Sequence, residues 1–211
     1  MKLLGSYTSP YVRKISVILL EKDIAFELVS ASPNGRDACV TAVNPLGKVP
    51  VLLNERGEGI FDSPIIAEYL ELAHPEPPLL PADRLEALRV RQIEALADGV
   101  TDAAMAIVRE CGRGGGPDEN VLLNQRAKIC RGLDALEEHA HEGRLLNGPT
   151  LTLADIAVAC TLGFINYRRV MPNWCVNRPM LVALAERLFA RTSFARTAPP
   201  VAAALYGTEM L

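Results

Sequence analysis

Two serines, each next to a proline, are the residues of this sequence best placed for chemistry. In Ser6-Tyr7-Thr8-Ser9-Pro10-Tyr11-Val12-Arg13-Lys14, Ser9 suits a helix N-cap and Pro10 the first helical position, where its missing N–H loses no partner. Asp62-Ser63-Pro64 repeats that grammar. A hydroxyl beside the exposed N–H groups of a helix start suits an anion such as a thiolate, a phosphate or a carboxylate. The simpler role for both serines is to cap a helix, so the surrounding elements have to decide.

Other reactive residue types point nowhere in particular. Cysteines 39, 111, 130, 160 and 175 are an odd number, widely spaced and without a Cys-x-x-Cys pair, so neither a disulfide framework nor a metal site is expected. Cys160 lies in an apolar run and reads as core; Cys39 has no base near it in sequence. His139 and His141, in Glu137-Glu138-His139-Ala140-His141-Glu142, point to different faces of a helix and read as a solvated helix end. Gly114-Gly115-Gly116 is followed by no Lys-Ser or Lys-Thr, which makes it a turn, and there is no Gly-x-Ser-x-Gly of a serine hydrolase.

The elements around the serines read in order. Lys2-Leu3-Leu4 is strand-like, Ile15 to Leu20 is a buried helix, and Ile24 to Val29 alternates as a second strand, giving β-α-β. Ser32-Pro33-Asn34-Gly35 is a turn, and Arg36 to Val43 an irregular helix. Asn44-Pro45-Leu46-Gly47-Lys48-Val49-Pro50 leads into a strand at Val51-Leu52-Leu53, with Pro50, cis or trans, where a strand begins. Gly57-Glu58-Gly59 turns that strand into a short partner, Ile60-Phe61, and a helix with Ile65, Ile66, Tyr69, Leu70 and Leu72 follows Asp62-Ser63.

Four prolines in His74-Pro75-Glu76-Pro77-Pro78-Leu79-Leu80-Pro81 mark an extended boundary. Beyond it the pattern is helical throughout. Leu85 to Ile107 forms one long amphipathic helix, Leu122 to Leu136 another, and Leu153 to Ile165 is apolar almost all round and should be the buried centre. Thr152 and Asp155 make a capping-box pattern at its head, so Asp155 reads as structural. Leu181 to Phe189 is a further helix.

The chain has 211 residues, 49% hydrophobic, with a formal net charge of −3 and dispersed basic residues, so a real core is available and nucleic acid is not an expected partner. The longest apolar run, Ile156 to Ile165, is too short to cross a membrane, and no signal-peptide pattern is evident at the start, so a cytoplasmic protein is expected.

Taken together, Ser9-Pro10-Tyr11, Asn44 to Leu52 and Asp62-Ser63 resemble the corresponding motifs of the cytosolic glutathione S-transferase family, and the likeness runs through the helical half. It is close to the bacterial members whose first-turn serine occupies the place of the cysteine in the Cys-Pro-Phe or Cys-Pro-Tyr motifs of glutaredoxin-type and omega-class proteins. The resemblance implies a thioredoxin-like α/β domain over residues 1–75, a proline-rich linker over 76–83 and an all-α domain over 84–211. It also implies a homodimer with the long helix at the interface, glutathione as co-substrate without a metal, and detoxification of a small electrophile or peroxide.

The same likeness assigns residues. Ser9 is expected near the glutathione sulfur, favouring thiolate over thiol, with Thr8 and Tyr7 as neighbours able to take that contact if the turn is rotated. Val49 is expected to pair with the cysteinyl backbone, Ser63 and the helix start behind it to hold the γ-glutamyl carboxylate, Asp62 to meet the amino group, and Lys48 the glycyl carboxylate or the backbone. The family more often has glutamate where Asp62 stands. Arg13 is expected to be paired or solvated within its helix. The electrophile is expected between the domains, with Tyr11, Arg109, Tyr167 and Trp174 as guesses for its lining. A glutathione-binding protein with little turnover is the alternative function; a deglutathionylating oxidoreductase needs a cysteine where Ser9 stands.

Overall fold

The computed structural model describes residues 1–32, 37–140 and 148–200; the expected turn at 32–35, His141 and Asn147 fall wholly or partly outside the described residues. The chain divides into two compact units, the first made of Met1–Leu79 with Thr192–Ala198, the second built mainly from Leu80–Arg191.

In the first unit the elements run β1 (Lys2–Gly5), α1 (Pro10–Glu21), β2 (Glu27–Ser30), α2 (Ala38–Thr41), β3 (Val51–Leu53), β4 (Gly59–Ile60) and α3 (Ser63–Ala73). The sheet order is β2-β1-β3-β4, with β1 parallel to β2 and the other pairs antiparallel. The parallel pair needs a crossover, and α1 supplies it. β2 starts later than the alternation suggests because the Ile24 N–H still closes α1 on the Leu19 carbonyl; the ladder opens where Glu27 N–H reaches the Met1 carbonyl. β4 stops at Ile60 because Phe61 leaves the ladder to pack on Leu4, Ala31, Val40 and Val51.

Nine residues of α1 are buried, and the helix packs against β1 and α3. Its approach to β1 requires glycine. Gly5 sits at φ +145°, and a Cβ there would stand 2.4 Å from Val12 Cγ2. At the far end of α1, Lys22 is wholly enclosed. Its ammonium meets Glu71 Oε1 at 2.7 Å and donates to the carbonyls of His74 and Pro77, both at 2.8 Å, while Glu71 Oε2 accepts from Leu79 N–H. The start of the proline-rich stretch is thereby tied to α1 and α3.

The second unit contains α4 (Arg84–Cys111), α5 (Glu119–His139), α6 (Leu153–Arg168) and α7 (Pro179–Phe189). α6 is buried nearly all round, and Asp155 accepts from the Thr152 N–H at 2.8 Å and hydroxyl at 2.6 Å, closing the capping box. Gly132 lets α5 press on α4, since a Cβ there would meet Val100 Cγ2 at 2.3 Å. Glu137 is no merely solvated helix end: its carboxylate accepts from the N–H groups of Met180 and Leu181 at the head of α7.

One short helix, α8 (Thr192–Arg196), follows α7 in the chain yet packs on α1 in the first unit. The sequence pattern assigns all residues after 83 to the helical half. The structure returns Thr192–Ala198 to the first unit because α8 meets buried polar groups of α1, a pairing across some 180 positions that no local periodicity records.

Candidate functional site

The strand register brings the expected segments to one end of the sheet. Leu4 faces Val51 in the β1–β3 pair, and Leu52 faces Ile60 in the β3–β4 pair. Because β3 runs antiparallel to both neighbours, the chain leaving β1 at Gly5, entering β3 after Pro50 and leaving β4 after Ile60 does so at the same end of the sheet. Three loops that are far apart in sequence thus leave the sheet together. β2, parallel to β1, ends there too, with Ala31 N–H donating to the Gly5 carbonyl.

Ser9 is the N-cap of α1, with extended φ and ψ of −86° and 122°, and its Oγ accepts from Val12 N–H at 3.4 Å. The cap uses the oxygen as acceptor and leaves the hydroxyl proton to donate elsewhere. The loop before it is stitched internally: Ser6 Oγ and Thr8 Oγ1 are 2.6 Å apart, Thr8 N–H donates to Ser6 Oγ, and Ser9 N–H donates to the Ser6 carbonyl. Thr8's hydroxyl is therefore engaged with Ser6.

Val49 is half-buried and packs on the same cluster as Phe61, and its bond to Pro50 is cis. Lys48 is exposed, and its carbonyl accepts from Asn44 Nδ2 at 2.9 Å. Asn44 anchors this turn from within. It is buried, and its side-chain oxygen also accepts from Leu46 N–H, so one amide holds the whole turn from Pro45 to Lys48. The signal available was Asn-Pro, a turn-initiating dipeptide whose side chain bonds the backbone two residues on.

Asp62 is the N-cap of α3, its Oδ1 accepting from Ser63 N–H; Ser63 opens the helix and is only 1% exposed, with Pro64 next. The helix start therefore carries both a hydroxyl and backbone N–H groups.

The other guesses lie in different surroundings. Trp174 is a core residue of the second unit, not a lining one: it is buried, and its indole N–H donates to Asn166 Oδ1 at 2.6 Å. Arg109 is exposed near the end of α4. Tyr167 is half-buried with its phenolic oxygen enclosed; burial pushes its hydroxyl pKa up, against the opposing pull of Arg168, whose guanidinium lies 4.9 Å over the ring. Arg13 is buried, not solvated. Cys39 donates its S–H to Asp37 at 3.0 Å, which raises the thiol pKa, the wrong direction for a nucleophile. Among the described residues, no three His, Cys, Asp or Glu side chains gather as a metal would need. No helix among them is long and apolar enough to cross a membrane.

A four-stranded mixed sheet flanked by helices, with loops converging on one end, is a thioredoxin-like domain, and it is followed here by an all-helical one. The chain belongs to the glutathione S-transferase family: residues 3–78 match the model of the glutathione S-transferase N-terminal domain and residues 83–190 that of the C-terminal domain. It is 57% identical to the uncharacterized GST-like protein YibF of Escherichia coli K12, over 96% of this chain and all of that one. A glutathione S-transferase from Methylobacterium radiotolerans, solved in complex with glutathione sulfonate, is similar at 38% identity and a TM-score of 0.88, covering 94% of each chain. Another, from Methylobacillus flagellatus with glutathione bound, is 40% identical with a TM-score of 0.87, covering 94% of this chain and 99% of that one.

Proposed function

We propose that this chain is a glutathione transferase that ionises the glutathione thiol beside Ser9 and directs the thiolate at a small electrophile or a peroxide. The observation that supports the reading is the strand register, which brings the end of β1, the start of β3 and the end of β4 to one end of the sheet, where the Ser9, Val49–Pro50 and Asp62-Ser63 segments connect to it. Glutathione bound to one solved relative and glutathione sulfonate bound to the other support the choice of ligand.

Each role follows from the chemistry of its place. The Ser9 hydroxyl donates to the sulfur while the α1 N-terminus favours its negative charge, so the bound thiol ionises below the ordinary value of roughly 8.5. Val49 offers backbone groups to the cysteinyl unit in the manner of an added strand. Ser63 and the α3 N–H groups receive the γ-glutamyl carboxylate, Asp62 the amino group, and Lys48 the glycyl carboxylate. The protein works as a cytoplasmic homodimer with α4 at the interface, and its detoxifying chemistry needs no metal.

Titration with glutathione, followed through the ultraviolet absorbance of the bound thiolate, tests this. Ser9→Ala is expected to raise the bound thiol pKa by about one unit, and Ser63→Ala to weaken binding about tenfold, the loss of one hydrogen bond to a charged group. No glutathione binding defeats the proposal. Binding without turnover against electrophiles and hydroperoxides selects the binding-protein alternative.

A further inference from the structure

Arg13 stands one turn beyond Ser9 on α1, and its backbone N–H donates to the Ser9 carbonyl at 3.0 Å, so the two residues share one of the helix's opening hydrogen bonds. The side chain leaves α1 altogether. Nη2 donates to the Phe194 carbonyl at 3.2 Å, Nε to the Thr197 hydroxyl at 3.5 Å, and the guanidinium carbon lies 5.7 Å from the centre of the Phe194 ring. Thr197 passes its own hydroxyl proton to the Ser193 carbonyl at 2.9 Å. Arg13, Phe194 and Thr197 are 7%, 1% and 0% exposed.

The Ser193 hydroxyl donates to Glu21 at the last residue of α1. α8 and the residues after it therefore grip α1 at both ends, Arg13 and Glu21 being roughly 12 Å apart along the axis. Apolar packing, such as Val12 against Gly5, already holds the body of the helix to the sheet. Apolar contact is not directional. A planar guanidinium whose donors are fixed on a carbonyl and a hydroxyl is, and it sets the rotation of the turn that begins with Ser9.

We propose that Arg13 is a positioning residue, locked on Phe194 and Thr197 so that the first turn of α1 presents the Ser9 hydroxyl to the glutathione sulfur. This rests on the glutathione-transferase reading above. Neither Arg13 nor Thr197 needs to touch glutathione for the effect, since a small misplacement of a donor is enough to weaken its interaction with a developing anion.

The test compares the full-length protein with Arg13→Lys, which keeps the charge but lacks the fork, and Thr197→Val, which keeps Arg13 but removes one acceptor. The readouts are the pKa of bound glutathione and the affinity for S-methylglutathione, which has no thiol to ionise. Both variants are expected to raise the bound thiol pKa, Arg13→Lys by about one unit, or roughly tenfold less thiolate below that pKa, with S-methylglutathione affinity held within about threefold. An unchanged thiol pKa in the variants, with only a lower melting temperature, reduces Arg13 to a structural role and overturns the proposal. Should Arg13→Lys fail to fold, Thr197→Val alone decides. A wild-type protein that does not bind glutathione defeats the function reading and this one together; a lowered wild-type thiol pKa that the variants share defeats this one alone.

Discussion

Replacing Lys22 by Met removes a charge whose side chain is 0% exposed while keeping an apolar stem of similar length. The ammonium donates to the carbonyls of His74 and Pro77 and pairs by charge with Glu71 Oε1 at 2.7 Å. The carbonyls border exposed prolines, so water can replace the lysine there at little cost. Glu71 is different. Its side chain is 10% exposed and would keep only the Leu79 N–H as partner. Removing one member of a buried ion pair costs about 3–5 kcal/mol, which for a chain of this length lowers the melting temperature by about 10 °C. Adding Glu71→Gln removes the stranded charge and keeps an acceptor for Leu79, so the double variant should recover at least about 1 kcal/mol relative to Lys22→Met alone. Urea unfolding followed by far-ultraviolet circular dichroism measures both. A loss below about 1 kcal/mol, the value of an exposed pair, or a double variant whose losses simply add, would refute the reasoning.

Gly5→Ala should destabilise by more than about 2 kcal/mol, because the new methyl meets Val12 at a strained φ, and Val12→Ala in the same chain should restore part of it in thermal melts. Asp155→Asn should lower stability by about 2–3 kcal/mol through the lost charge-assisted bonds to Thr152, with a thermal melt as the check and an unchanged midpoint as the contrary result. Asp37→Ala should speed alkylation of Cys39 near pH 8 severalfold: the Asp37 hydrogen bond is the first cause of the raised thiol pKa, and removing it brings the thiol nearer its ordinary ionisation. Equal rates in the two proteins would show that Asp37 does not control the thiol.

What local chemistry dictates was legible in the sequence. Ser9-Pro10 and Thr152-Asp155 announce helix starts because capping needs only residues within one turn, and the alternation and turn residues around Val51 announce a hairpin. What depends on distant partners was not. Arg13 and Lys22 look like ordinary surface charges until Phe194 and the His74–Pro77 backbone are brought against them. Trp174, an amphipathic residue plausible for a pocket, satisfies its N–H inside its own unit. The three motifs proposed to hold glutathione could be ordered along the chain, but only the pairing of residues across the sheet shows that they connect to the same end of it.

The first unit is discontinuous in sequence, and this fixes the order in which it can be finished. On the ribosome, residues 1–79 emerge well before Thr192–Ala198, so the sheet and α1 have to wait for nearly the whole helical unit to be synthesised before Arg13 receives the Phe194 carbonyl and the Thr197 hydroxyl. A fragment cut at the proline-rich stretch would contain Ser9, Val49 and Ser63 and still be an unfinished module. Supplying 192–198 as a separate peptide, or grafting it behind residue 79 through a linker, would complete what the natural chain closes only after the helical unit.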